Sequence, residues 1–191
     1  YTFLVSTLPL KDLILAMEEV PAAVLEAAQR LRATSVTYWD IGLKGKNPEG
    51  APHWTYFPEK QFPFYRIGSA SAAVPQVAPE DHRSYYVEVS HLRGTPCSYS
   101  AEDILKGLRC AGYLKPNEDP VLLNKTTIDC AYVLMDHAYG QARATVMEFL
   151  ESCDILSIGR YGSWTYDSME GALVQGKDTA QSLASRQPRQ A

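Results

Sequence analysis

The sequence predicts an α+β fold. A mixed, mainly antiparallel sheet with its helices occupies the middle of the chain, and a strand–helix segment at each end belongs to a second sheet. Three observations predict it. Between residues 34 and 134 several strand-like runs follow one another with few helices between them, which argues against a βαβ alternation. Tyr85, Val87 and Val89 alternate with Tyr86, Glu88 and Ser90, the period of a half-buried strand. Each end of the chain carries a short apolar run followed by apolar residues at helical spacing.

Taken in order, Thr2 to Thr7 is an apolar run that stops at Ser6-Thr7-Leu8-Pro9, a buried strand ending in a turn. Leu10, Leu13, Ile14 and Met17 then recur at helical spacing. Pro21 suits the first turn of a second helix, with Val24, Leu25, Ala28 and Leu31 on one face. Arg30 and Arg32 fall in its last turn, where positive charge is favoured. Thr34 to Leu43 is rich in β-branched and aromatic residues and reads as a strand. Lys44 to Pro52, with three prolines or glycines beyond Gly45, is a loop. His53 to Phe57 and Phe64 to Gly68 read as two more strands joined by a turn holding Pro58 and Pro63. Ser69 to Arg83 is rich in Ala and Pro and reads as a long surface loop, followed by a strand over Ser84 to Leu92.

Ser100 and Asp103 have the spacing of a capping box, opening a helix through Ile104, Leu105, Leu108 and Ala111. After a turn at Pro116 to Pro120, the stretch Val121 to Met135 contains a long extended run. Asp136 is a candidate cap for a helix whose inner face is Ala142, Val146, Phe149 and Leu150. Ile155 to Ile158 is a short strand, Gly159 to Asp167 a polar, aromatic-rich loop, and Ser168 to about Leu183 a final helix. Ser185 to Ala191 is a polar tail.

Composition narrows the function. With 46% apolar and 21% charged residues, the 191-residue chain has the make-up of a soluble globular protein. The net charge of −4 and the absence of a basic run leave no electrostatic footprint for nucleic acid. No apolar stretch approaches the roughly 18 to 20 residues that span a bilayer. Cys97, Cys110, Cys130 and Cys153 have no CxxC spacing and read as reduced, mostly buried thiols of a cytoplasmic protein. His53, His82, His91 and His137 form no metal-ligand spacing, so no metal site is expected. No catalytic residue is identified: the scattered histidines offer no nucleophile–base pairing by spacing. The opening Tyr-Thr-Phe-Leu-Val has neither an initiator Met nor a basic leader, and reads as a chain entered in mid-strand.

The segment Ile155 to Gly176 carries the most information. It reads as strand, glycine turn and a helix capped by Asp167 or Ser168. A helix start presents free N–H groups and partial positive charge, which suits an electron-rich or anionic ligand. Met169, Ala172, Leu173, Gly176 and Ala180 share a face whose small residues allow close approach. The same pattern also describes a plain strand–loop–helix with a glycine for tight packing.

Gly159-Arg160-Tyr161-Gly162-Ser163-Trp164-Thr165-Tyr166-Asp167-Ser168-Met169 resembles the C-terminal flavin-binding motif of one branch of the amine oxidase superfamily, that of UDP-galactopyranose mutases and protoporphyrinogen-oxidase-like proteins. The continuation Met-Glu-Gly-Ala-Leu-Val-Gln-Gly is similar to the superfamily's closing helix, which runs under the flavin. Phe3 to Leu10 resembles the strand and turn that return the chain to the flavin domain. Trp54 to Pro58 with Phe62 to Arg66 resembles part of the substrate domain. Asp129 to Leu134 aligns with a Tyr-Pro-Val-Pro-like strand, here Tyr132-Val-Leu-Met without the prolines. One family element is missing from the sequence: it has no Gly-x-Gly-x-x-Gly fingerprint.

The resemblance implies FAD as cofactor in the intact protein and a small-molecule substrate. It implies that Gly159, Arg160, Tyr161, Ser168, Met169 and Gly171 contact the cofactor, and that Tyr166, Trp164, Tyr132 and Arg66 are the substrate candidates. Tyr166 matches a position that in the mutases reaches the substrate's phosphate. Each residue also has an ordinary role open to it: Arg160 as partner of a surface carboxylate, Trp164 and Tyr166 as core or rim aromatics, Arg66 as a strand arginine. The implied organisation is 1–20 as the segment returning to a Rossmann-like FAD-binding domain, 21–137 as the substrate-binding domain, 138–185 as the C-terminal FAD-binding segment and 186–191 as a flexible tail. The N-terminal FAD-binding segment would lie outside this chain, and the chain alone is expected to bind FAD weakly or not at all. The implied function is a fragment of an FAD-dependent oxidoreductase. The alternatives are a mutase-like flavin-dependent isomerase and a non-catalytic binding domain that has lost the cofactor.

Overall fold

The computed structural model describes residues 3–185; Thr2 and the expected tail 186–191 lie outside the described residues. In chain order the elements are β1 (Leu4–Ser6), α1 (Leu10–Leu15), α2 (Ala22–Arg30), β2 (Arg32–Lys44), β3 (Trp54–Tyr56), β4 (Arg66–Gly68), α3 (Ala70–Ala73), β5 (His82–Leu92), α4 (Ala101–Cys110), β6 (Leu122–Leu134), α5 (Tyr139–Ser152), β7 (Ile155–Ser157), α6 (Gly159–Gly162) and α7 (Met169–Ser185). The chain forms two compact units, Tyr1–Thr34 with Cys130–Ala191, and Ser35–Asp129. The divisions fall within β2 and β6, so these two strands carry the chain from one unit to the other.

In the first unit β1 and β7 pair in parallel, Leu4 opposite Ile155 and Ser6 opposite Ser157. The two strands come from opposite ends of the sequence, as the apolar runs at both ends predict. Pro21 stands just before α2 rather than inside it, its φ of −57° preset for the turn into the helix. α2 packs on α5, and Leu10, Ile14, Ala28, Val146, Leu150 and Trp164 are wholly enclosed in one core. Of these, Leu10, Ile14, Val146 and Leu150 each contribute about 1.5–3 kcal/mol of transfer free energy. Ala142, Val146 and Leu150 form the inner face of α5 as its spacing implies, with Phe149 only half-buried at its margin. Asp136 does not cap α5 by its side chain. The cap position is Ala138, whose N–H donates to Asp136 Oδ1 at 3.1 Å, so the carboxylate shapes the turn one step earlier.

The second unit is built on a five-stranded antiparallel sheet in the order β3-β4-β5-β2-β6. Trp54 lies opposite Gly68 and Arg66 opposite Glu88. Trp39, Ile41 and Leu43 share one face of β2, and with Tyr85, Val87 and Val89 of β5 they pack beneath Ile104 and Leu108 of α4. The capping box is present in full: Ser100 Oγ accepts from Asp103 N–H at 3.2 Å and Asp103 Oδ2 accepts from Ser100 N–H at 2.8 Å. Phe57, Phe62 and Phe64 meet at ring separations of 5.0 to 5.6 Å and close the core beside β3 and β4.

Three further details depart from expectation. The stretch 69–83 is not loop throughout, because Ser69 Oγ accepts from Ala72 N–H and opens α3, followed by a 3₁₀ turn at Pro75–Val77. Glu88, on the polar side of the alternation, is buried, because Arg66 and Tyr65 come with it. Of the four free cysteines only Cys130 is buried, so the expectation of mostly buried thiols fails: Cys110 ends α4 on its exposed side. Among the described residues no helix is long and apolar enough to cross a membrane.

Candidate functional site

The site grows from the end of β7. The chain turns at Gly159 with φ +76°, a left-handed conformation that costs glycine little. The expected loop 159–167 therefore begins with the single helical turn α6. Its last residue, Gly162, packs so closely that an added Cβ would lie 3.0 Å from the Ser6 carbonyl oxygen. Ser157 Oγ donates to Gly162 O at 2.9 Å. Trp164 adopts φ +50°, a strained value for a side chain of its size. Two clamps from α5 hold it there: Tyr139 Oη donates to Trp164 O at 2.7 Å, and Arg143 Nε donates to Ser163 O at 2.6 Å. The Trp164 ring is fully buried in the first unit's core, and its Nε1 has no acceptor.

The start of α7 is fixed by its own side chains. Asp167 Oδ1 accepts from Ser168 N–H at 2.8 Å, and Ser168 Oγ accepts from Gly171 N–H at 3.0 Å. A Cβ at Gly171 would stand 1.8 Å from Asp167 Oδ1, so glycine is what admits the carboxylate. Gln175 then joins helix to turn. Its Oε1 accepts from Gly159 N–H at 2.9 Å and from Ser163 Oγ at 2.8 Å, while its Nε2 donates to Asp167 Oδ2. The N–H groups of Met169 and Glu170 have no acceptor among the described residues, leaving two donors at the positive end of a 17-residue helix.

Arg160 is the centre of the arrangement. Its guanidinium carbon lies 4.8 Å from the ring of Tyr132 and 4.9 Å from that of Tyr166, and these two rings are nearly parallel at 17° with centroids 6.3 Å apart. Tyr161 adds a third ring at 5.9 Å. The guanidinium reaches only carbonyl oxygens, those of Asp167 at 3.3 Å and Ala131 at 3.5 Å, and its Nε is buried without a partner. Among the described residues no carboxylate pairs with it. Cation–π contact with three rings compensates part of that charge.

Of the residues singled out by sequence, the structure therefore brings Gly159, Arg160, Tyr161, Ser168, Gly171, Tyr132 and Tyr166 into one region of the first unit. Tyr166 is 69% exposed and Met169 88% exposed, with Leu173 of the same helix face at 75%. Trp164 belongs to the core instead of an open surface. Arg66 lies in the second unit. There its Nη2 donates to Glu88 Oε1 at 2.6 Å, Tyr65 Oη donates to the other oxygen of Glu88, and the Tyr56 and Tyr65 rings lie 5.8 and 5.7 Å from the guanidinium. Burial opposes the charge on Arg66, but the bond to Glu88 more than offsets it and holds the group protonated beyond its ordinary range. The Nε of Arg66 has no partner.

Sequence reading named Asp167 as a cap of the final helix but missed Gln175, Tyr139 and Arg143 as residues that brace the site. A glutamine two turns into a helix carries no local signal, since its role depends on what folds back against it. Cavities lie elsewhere. One of about 710 Å³ is lined by Lys46, His53, Ser71, Gln76, Asp81 and His82, and one of about 440 Å³ by Ser35, Thr37, His91, Lys125, Thr127 and Asp129. A smaller one of about 230 Å³ lies between α5 and β7.

No protein-family model matches the sequence. Solved structures do match the fold. A crystal structure of reduced UDP-galactopyranose mutase is 26% identical over 97% of this chain and 43% of its own, with a TM-score of 0.85. A protoporphyrinogen oxidase-like protein from Exiguobacterium sp. 255-15 is 11% identical over 95% of this chain and 40% of its own, with a TM-score of 0.70. Wild-type putrescine oxidase bound to putrescine is 15% identical over 95% of this chain and 42% of its own, with a TM-score of 0.60. The resemblance to this branch of the amine oxidase superfamily thus extends from short motifs to the whole described fold. The chain spans less than half the length of each of these structures.

Proposed function

We propose that this chain supplies the flavin-contact segment and the substrate domain of an FAD-dependent enzyme of the amine oxidase type. The observation that carries the reading is Arg160: a partly buried guanidinium with an unpartnered Nε, no carboxylate, and three aromatic rings around it. A cation left in that state suits an electron-rich ligand. The free N–H groups of Met169 and Glu170 add positive character at the start of α7.

These residues fit the flavin portion of FAD. Gly159, Arg160, Tyr161, Ser168, Met169 and Gly171 would hold it, and the exposed face of α7 around Met169 and Leu173 would lie against it. Bound there, the flavin supplies the electron-pair chemistry. The protein's part is position and electrostatics. Gln175 and Asp167 fix the helix start against the Gly159 turn before any ligand arrives. Arg160 holds positive charge beside the rings of Tyr132 and Tyr166. The exposed Tyr166, with Tyr132, is assigned to the substrate, and Arg66 of the second unit is a separate substrate candidate; Trp164 acts from behind, holding the backbone that carries Tyr166. In this reading 1–20 and 138–185 belong to the flavin-binding domain and 21–137 to the substrate domain, with the compact unit Ser35–Asp129 as its body. Four unpaired cysteines support a reducing, cytoplasmic setting.

Two chemistries share this frame: oxidation of a small molecule, and isomerisation of a nucleotide sugar without net oxidation. The likeness to UDP-galactopyranose mutase is higher in both identity and TM-score than that to either oxidase-type structure, which favours the second. The full-length gene product is expected to purify with bound FAD. Conversion of UDP-galactopyranose by its reduced form supports the mutase reading, and oxygen-dependent oxidation of an amine or porphyrinogen supports the oxidase reading. A flavin-free full-length product that takes up no added FAD contradicts both and leaves the non-catalytic binding domain.

A further inference from the structure

Tyr56, Arg66 and Glu88 form one row across three strands of the second unit. Arg66 of β4 lies opposite Tyr56 of β3 on one side and Glu88 of β5 on the other. Residues directly opposed on antiparallel strands point to the same face of the sheet. The row runs from open to enclosed: Tyr56 is 59% exposed, while the side chains of Arg66 and Glu88 are 22% and 10% exposed. One end of the guanidinium is committed inward. Its Nη2 donates to Glu88 Oε1 at 2.6 Å, and Tyr65, just before β4, donates its hydroxyl to Glu88 Oε2. The other end is held weakly. Among the described residues Nη1 reaches only Tyr56 Oη, at 3.4 Å.

We infer that Glu88 is a positioning residue, which sets Arg66 for the substrate without touching the substrate itself. The inference rests on the assignment of Arg66 to the substrate and on the mutase reading. Both oxygens of Glu88 are engaged and its side chain is enclosed, so it is not placed to take a proton from a ligand. An unanchored arginine samples many rotamers and loses that freedom when a ligand orders it. Arg66, fixed at Nη2 and flanked by the rings of Tyr56 and Tyr65, has lost it beforehand. The anchor also gives direction. With Nη2 on the enclosed carboxylate, Nη1 is turned to the Tyr56 end of the row, the exposed one. Tyr65 secures the carboxylate in turn, so the influence of both residues on the substrate passes through Arg66.

A double-mutant cycle on the full-length protein with reduced flavin tests this, read as KM and kcat for UDP-galactopyranose. Glu88→Gln keeps the shape, removes the charge and meets the Tyr65 hydroxyl with an amide. It is expected to raise KM about tenfold or more, with a smaller change in kcat. Tyr65→Phe leaves the bond between Arg66 and Glu88 in place and is expected to raise KM less, in the same direction. Arg66→Gln still offers Glu88 an N–H donor but no charge, and is expected to raise KM at least as far as Glu88→Gln. In the double variant the Glu88 change then adds nothing. FAD affinity and circular dichroism are expected to match the native protein throughout. Should Glu88→Gln fail to fold, Tyr65→Phe takes its place in the cycle. A KM unchanged by Glu88→Gln overturns the inference, and so does a rise that is equal with and without Arg66, the mark of a packing role. A KM unchanged by Arg66→Gln overturns it by removing Arg66 from the substrate. A native protein that holds FAD but does not convert UDP-galactopyranose overturns the mutase reading, and the inference with it.

Discussion

Arg160 and Tyr132 meet with the guanidinium carbon 4.8 Å from the ring centroid, although 28 positions separate them in the chain. One sits in the turn after β7 and the other near the end of β6. Their coupling is expected to stabilise the first unit by about 0.5–2 kcal/mol. A double-mutant cycle of Arg160→Met and Tyr132→Leu in chemical denaturation measures it. Additive single effects would show that the ring and the cation are merely neighbours.

Gln175 links three groups at once: Gly159 N–H, Ser163 Oγ and Asp167 Oδ2. Gln175→Leu keeps the size and removes all three partners. The expected loss is about 1–3 kcal/mol, the range for leaving enclosed polar groups unpaired. Faster hydrogen exchange at the Gly159 amide is the local signature. Unchanged protection there would mean that the turn holds itself.

Gly171→Ala places a Cβ where Asp167 Oδ1 now lies, 1.8 Å away. Alanine favours helix more than glycine by about 1 kcal/mol, so propensity alone predicts stabilisation. The displaced carboxylate releases Ser168 N–H and Gln175 Nε2, and the expected net effect is a destabilisation of about 1–3 kcal/mol. A more stable variant would show that Asp167 moves aside freely.

Glu118 gives a pH dependence in the second unit. Burial raises its pKa, but the Lys115 N–H at 3.1 Å and the Arg83 guanidinium at 2.6 Å outweigh it, and the net direction is below the ordinary 4.5. A depressed folded value means that the stabilisation is complete above about 4.5 and is lost as pH falls through the lower folded value. The stability difference between the native chain and Glu118→Gln is therefore expected to be constant above that pH and to shrink in stronger acid. A difference that persists unchanged into strong acid contradicts the assignment.

Much of this was legible because it was local. The capping box at Ser100 and Asp103, the alternation of Tyr85, Val87 and Val89, and the strand–turn–helix of 155–176 each depend on neighbours a few residues away. α3 was hidden because Ala-rich and Pro-rich stretches look alike until a serine cap is seen to be used. Glu88 was misplaced because alternation reports the face and not the company: only the pairing of β4 with β5 brings Arg66 to it. The motif singled out Arg160 and Tyr166, and the guanidinium lies 4.9 Å from that ring. The braces Tyr139, Arg143 and Gln175 act through folds of the chain that no spacing encodes.

The central claim is that the Gly159 turn and the start of α7 receive the flavin. Its most direct test is the FAD dissociation constant of the full-length gene product, measured by flavin fluorescence for the native sequence and for Arg160→Ala. With circular dichroism unchanged, the expected result is an affinity weaker by about tenfold or more, the loss of one charged contact. Equal affinities for the two proteins would contradict the account.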